Sequence, residues 1–128
     1  MSIPVDPSEL ERVRASYGAG YLVTVGADGS PKVVTVEPSV EAGVVVVAAP
    51  GRGSLANAAT RPAVTLVFPP SEEKGFTLLV DGTASVDGEH LGVAVASAVL
   101  HRPAAHSDGP AAPVTVAATG CDNDCRPI

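Results

Sequence analysis

Short runs rich in β-branched residues, each closed by a cluster of Gly, Asp, Ser or Pro, constrain this chain more than anything else in it. YLVTV from Tyr21, KVVTV from Lys32, VVVV from Val44, AVTLVF from Ala63 and FTLLVDGTASV from Phe76 are of strand length. The segments between the first runs, GADGSP and SVEAG, are turn sequences, and FPPSEEKG is a polar loop opened by a Pro pair. The first two runs predict a β-hairpin, and three strands in meander order are expected by Ala48. The third, apolar on both faces, is expected to be central or buried. Gly82 lies inside the last run, where the continuity on both sides favours a bulge over a hairpin turn at Asp81-Gly82. Hydrophobic residues make up 45% of the chain and aromatic residues only 3%, so small side chains must fill the core. With 128 residues, one core and one domain are expected.

Helix signals flank these runs. Asp6-Pro7-Ser8-Glu9 offers a capping side chain, a proline for the first helical position and an acid for a capping box, and Gly18 and Gly20 stop a helix near Tyr17. A short helix follows the loop at Gly51, and the Ala-rich stretch from Glu89 to Leu100 predicts another, with Leu91, Val95, Ala98 and Val99 on one side and Pro103 beyond its end. The division that follows is a barrel domain over 1–102 and a Pro- and Ala-rich tail or arm over 103–128, in which Val114 to Ala117 could add an edge strand. Five or six strands with peripheral helices predict a small antiparallel barrel, with an open α+β sandwich as the competing topology.

Charge and composition exclude several function classes. The formal net charge is −6 with no basic run, which argues against nucleic acid as a partner. No apolar stretch approaches the ~20 residues of a membrane span and the first residues lack a signal-peptide core, so a cytoplasmic protein without membrane partners is expected. Cys121 and Cys125 are too few and too local to staple a fold.

The densest set of anion-binding elements is the stretch from Ala49 to Phe68, in which Gly51-Arg52-Gly53-Ser54 opens the short helix. Unpaired N–H groups and the positive end of a helix dipole make such a junction a candidate phosphate seat. Its alternative is a plain turn with Ser54 as an ordinary cap. Asn57 is a candidate ligand contact on the same helix, and Arg61 reads as a loop charge. Lys32 and Thr35 alternate with valines, as either a solvent-facing row or a ligand contact. Lys74 reads as a solubilising charge.

Three stretches, YLVTVGADGSPKVVTV, VVVVAAPGRGSLANAATRPAVTLVFPP and FTLLVDGTASV, together resemble the pyridoxamine 5′-phosphate oxidase-like family of flavin and deazaflavin split barrels. The resemblance implies a six-stranded antiparallel split β-barrel that dimerises, with two cofactor sites at the interface. It places Val33, Val34, Thr35 and Val36 along the cofactor ring and Arg52, Gly53 and Ser54 at its phosphate. Counted back from Pro62, the family's basic pair falls on Gly53 and Ser54. The C-terminal segment that completes a pyridoxamine phosphate site has no counterpart.

The function this implies is an oxidoreductase dependent on FMN or the deazaflavin coenzyme F-420, exchanging a hydride with a small organic substrate. No catalytic triad, Walker loop or paired-carboxylate pattern appears, which suits chemistry carried by a cofactor. One alternative keeps the barrel as a binding or sequestering protein for a flavin-like or other apolar ring. Another gives His101, His106, Cys121 and Cys125 a metal or haem role, which the Cys spacing and the intervening prolines disfavour. No metal site is therefore expected.

Overall fold

The computed structural model describes residues 1–114. Strand β1 (Ser2–Pro4) leads into a 3-10 turn (Pro7–Glu9) and helix α1 (Leu10–Ala15). The chain then forms β2 (Gly20–Val25), β3 (Pro31–Val36), β4 (Ser39–Glu41) and β5 (Val44–Ala48). Helix α2 (Arg52–Thr60) separates these from β6 (Ala63–Phe68), β7 (Thr77–Asp87) and β8 (His90–His101), and a last 3-10 turn spans Ala104–His106. One antiparallel sheet runs β3-β2-β6-β7-β8-β5-β4, with β1 also paired to β8. No helix among the described residues is long and apolar enough to cross a membrane.

Local chemistry accounts for most of these elements. Asp6 accepts from the Ser8 backbone N–H at 2.9 Å and Pro7 occupies the first position, so the start of the first helical segment is where capping rules put it. Glu9 does not complete a capping box; it pairs with Arg12 instead. The β2–β3 hairpin closes through Gly26 and Ser30, with Asp28 accepting from the Ser30 N–H. Gly82 marks a bulge, as its place inside a continuous run suggests: Asp81 faces Ser97, while Gly82 faces Val95. A Cβ on Gly82 would collide with the Ala94 carbonyl oxygen and lie 2.7 Å from Val93 Cγ1.

Three expectations are corrected. The Glu89–Leu100 stretch is strand β8, not a helix; Leu91, Val93, Ala98 and Leu100 point inward at strand spacing, and β7 on one edge with β5 and β1 on the other take up its backbone groups. Alanines made the stretch read as helical, but tertiary pairing overrides so weak a propensity. The described sheet holds eight strands in place of six, because Ser2–Pro4 and Ser39–Glu41 each form a three-residue strand. Strand β5 lies one in from the sheet edge and is not buried on both faces: Val45 and Val47 are buried while Val44 is exposed.

The core is built from Leu10, Val13, Leu22, Leu66, Phe68, Leu78, Val80, Leu91, Val93 and Leu100, among others. Each phenylalanine is capped by an arginine, Arg14 4.5 Å above the Phe68 ring and Arg102 4.0 Å above Phe76. Arg102 is the one charged residue buried among the described residues, and its Nη1 donates to the carbonyls of Lys74 and Pro110. It thereby ties the β6–β7 loop to residues 103–114, which lie against the barrel with Ala112 and Val114 on the core. Arg12 donates to the Pro113 carbonyl, and Lys74 pairs with Asp108 at 2.9 Å.

Tyr17 donates to the Phe76 carbonyl at 2.8 Å, and burial pushes its phenol up to about 12. The raised value means that neutral Tyr17 stabilises the fold fully below the unfolded value of about 10, and that this contribution disappears as pH rises toward 12. In urea titrations the wild-type midpoint should fall more steeply than that of Tyr17→Phe between about pH 10 and 12. Parallel curves would show that the phenol titrates as it does in the unfolded chain.

Candidate functional site

Two recesses meet at the turn between β5 and α2. The larger, about 600 Å³, is lined by Ala19, by Thr35, Val36 and Glu37 at the end of β3, and by Ala48 and Ala49. The smaller, about 130 Å³, is lined by Ala49, Gly51, Arg52, Leu55 and Glu89. They share Ala49, so the end of β3 and the start of α2 form the two sides of one groove. Ala49 at φ 47° and Gly51 at φ 106° are both left-handed, and through them the chain leaves β5 and enters α2.

The residues singled out from the sequence divide into two groups. Thr35, Val36 and Arg52 line the groove. Gly53, Ser54, Asn57, Val33 and Val34 do not. Val33 is 58% exposed, on the opposite face of β3 from Lys32, Val34 and Val36. Asn57 donates from Nδ2 to the buried Thr24 hydroxyl at 3.1 Å, and Arg61 donates to the Val25 carbonyl at 2.8 Å, so both side chains fasten α2 to β2. Ser54 is fully buried, and its Oγ has no hydrogen-bond partner among the described residues.

The first turn of α2 is electrostatically unusual. Helix N-termini favour acids, yet this turn contains none and begins with Arg52. Lys32 adds a second cation: its side chain lies across Gly53, with Cε 3.1 Å and Nζ 3.5 Å from where a Cβ on that glycine would stand. The sequence leaves Lys32 between a solvent role and a ligand role. The signal that resolves its direction is parity, since Lys32 shares the face of Val34 and Val36, and this face looks toward α2. Glu37 and Glu89 are the acids on the groove wall.

No group of three or more His, Asp or Glu side chains able to hold a metal occurs among the described residues. His101 Nδ1 lies 3.1 Å from the Ser2 hydroxyl, and His106 sits in the last 3-10 turn. Cys121 and Cys125, and the edge strand expected from Val114 to Ala117 beyond its first residue, lie outside the described residues. A separate depression of about 110 Å³ between Tyr17, Phe76 and Pro113 is too small for a tricyclic ring.

The long β7–β8 hairpin, the strands that join β8 on its other edge, and a short helix crossing from β5 to β6 define a split barrel of the pyridoxamine 5′-phosphate oxidase-like class. Solved structures of this fold align with most of the chain. An FAD-binding protein from Mycobacterium smegmatis superposes with a TM-score of 0.60 at 16% identity, covering 80% of this chain and 100% of that one. An FAD-binding protein from Mesorhizobium loti gives 0.58 at 14%, covering 80% and 99%, and an F420 reductase 0.54 at 17%, covering 68% and 91%. Uncharacterized proteins of Mycobacterium bovis and Mycobacterium tuberculosis are each 35% identical over 137 aligned residues, 94% of this chain and 92% of theirs. The chain belongs to the family of these mycobacterial proteins, and its fold is the pyridoxamine 5′-phosphate oxidase-like split barrel. No protein-family model matches it.

Proposed function

We propose that this protein is a cytoplasmic, homodimeric split-barrel oxidoreductase that holds FMN or the deazaflavin F-420 in the groove around Ala49 and acts on a small organic substrate. The observation that carries this reading is the meeting of the β3 end with the Ala49–Arg52 junction in one groove. The residues present fit such a group. Ala19, Ala48 and Ala49 leave a wall of small side chains against which a flat ring can lie. The free N–H groups of the first turn of α2, with Arg52 beside them, suit its phosphate.

When bound, the ring system supplies the hydride exchange. The chain's own residues bind and orient: Thr35 and Val36 border the ring and Arg52 neutralises the phosphate. A second subunit would cover the groove's open side and exclude water. The outer face of the sheet supports that pairing, because Tyr21, Val67, Leu79 and Val99 form one cross-strand row and Val33 with Val23 starts the next. Tyr21 at 41% and Val33 at 58% exposure leave this face open to a partner.

The test is spectroscopic. Purified protein titrated separately with FMN and F-420 should perturb the visible spectrum of at least one and gain thermal stability from it, and light scattering should give twice the 12.7 kDa chain mass. A protein that leaves both spectra and its own melting temperature unchanged is not a flavin-type binder. Binding without turnover by any donor and acceptor pair would instead identify a sequestering protein.

A further inference from the structure

Two polar side chains stand out on the otherwise bland outer face of the sheet. The row from Tyr21 to Val99, and the next row of Val33, Val23, Thr65, Asp81 and Ser97, cross the five strands from β3 to β8. Asp81 is the single charged side chain in these rows, in a chain where 17% of residues are charged. Lys32 is the only Lys or Arg in the five strands, and it lies on the opposite face of β3, against Gly53. Thr65 Oγ1 donates to Asp81 Oδ1, and Oδ2 has no partner among the described residues. Of the two tyrosines, Tyr17 is committed to the Phe76 carbonyl, whereas the exposed Tyr21 hydroxyl has no hydrogen-bond partner among the described residues.

Covering this face with an apolar surface would strand the Asp81 carboxylate away from water. Its occupant must bring a hydrogen-bond donor on a long side chain, and the face itself carries one in Tyr21. The two residues lie two strands and one row apart, about 12 Å at ~4.8 Å per strand and ~3.4 Å per residue. Their midpoint falls on β6, between Thr65 and Val67. A twofold axis lying in the face, through that midpoint and at right angles to the line joining the pair, sets each Tyr21 opposite Asp81 of the partner subunit. One operation makes both contacts, as an isologous interface requires. Packed sheets stand about 10 Å apart, a gap that a tyrosine largely spans. The two carboxylates stay about 12 Å from each other, beyond the ~8 Å screening length at physiological salt.

We propose that reciprocal hydrogen bonds, from Tyr21 of each copy to Asp81 of the partner subunit, fix the register in which two copies of this chain pair through the outer face. The inference rests on the dimeric reading above and is independent of which cofactor the groove takes. It makes Asp81 the residue that excludes other registers. Set against the valines of the same face it would be a buried, unpaired charge, and set against its own copy it would meet a like charge. Only the phenol offers a donor that reaches across and leaves the carboxylates apart. Thr65 holds Oδ1 and leaves Oδ2 for the phenol, in a charge-assisted bond stronger than a neutral one.

Dilution series of the full chain in sedimentation velocity test this, using wild type, Tyr21→Phe, Asp81→Asn and the double variant. Both positions are exposed, so far-ultraviolet circular dichroism should find every variant folded. The Tyr21→Phe dimer should dissociate at least about tenfold more readily than wild type, because two carboxylates lose their donor. Adding Asp81→Asn should recover most of that loss, since no charge is then stranded and Thr65 keeps its acceptor. Mixing the two single variants reads the reciprocity directly. Their heterodimer keeps one intact Tyr21–Asp81 pair and gathers both substitutions in the other, so native mass spectrometry should show heterodimers well above the half expected of random pairing. Random pairing, or no recovery in the double variant, overturns the proposal while the dimer stands, and leaves Tyr21 as apolar contact area. A wild type that is monomeric at every concentration removes both this proposal and the dimeric reading, and the cofactor titrations then decide the flavin reading alone.

Discussion

The Arg102→Ala variant should unfold about 3 kcal/mol more easily than wild type, a fall of about 10 °C in melting temperature for a domain of this size. The guanidinium is buried, stacks 4.0 Å over Phe76, and satisfies the Lys74 and Pro110 carbonyls. Removing it loses a desolvated cation–π contact of about 1 to 2 kcal/mol and strips two half-buried carbonyls of their donor, at about 1 kcal/mol or more each. The unpartnered Nε is itself a cost in the wild type and offsets part of the loss. Arg102→Met keeps most of the packing on Phe76 and therefore isolates the carbonyl share. If urea unfolding places Arg102→Ala within about 0.5 kcal/mol of wild type, the segment after β8 is not held by this side chain.

Gly82→Ala is expected to cost about 2 to 3 kcal/mol, although alanine is otherwise a mild replacement. The added methyl would press on the Ala94 carbonyl oxygen and on Val93 Cγ1, and the first of these is backbone, fixed by pairing on both edges of β8. Relief requires β8 to move away from β7 at the bulge, which would disturb the longest strand pair in the barrel. Gly92→Ala is the control, because a Cβ there meets only Val44 Cγ1 at an ordinary 3.7 Å. Equal stabilities for the two variants would mean that the bulge yields freely.

Both variants probe features that differ in how plainly the sequence announces them. The bulge was legible, because a lone Gly inside an otherwise continuous β-branched run has few other uses, and the β2–β3 hairpin was legible from its turn. Strand β8 was not: its alanines imitate a helix, and what decides its conformation is pairing with residues far away in sequence, including Ser2–Pro4. The short strands β1 and β4 carry too few residues for any periodicity to register.

At the site, the chemistry of the Gly51–Ser54 junction was readable but its partners were not. Arg52 reaches the groove, whereas Asn57 is spent on Thr24, a contact set by the way α2 packs across β2. Lys32 could be placed on a face by parity alone. Its seat on Gly53 depends on the crossing of a strand and a helix some twenty residues apart in the chain.

Strand β1 also bears on the order in which the molecule is made. Ser2 pairs with His101, 99 residues away, so β1, made before every other described strand, has no partner until β8 has been synthesised. The β2–β3 hairpin can close as soon as Val36 emerges, but at ordinary translation rates β1 waits about 5 to 20 s for its neighbour. Through that interval β1 has no sheet edge to join, and the β8 edge that will receive it is, once made, briefly available to another nascent chain.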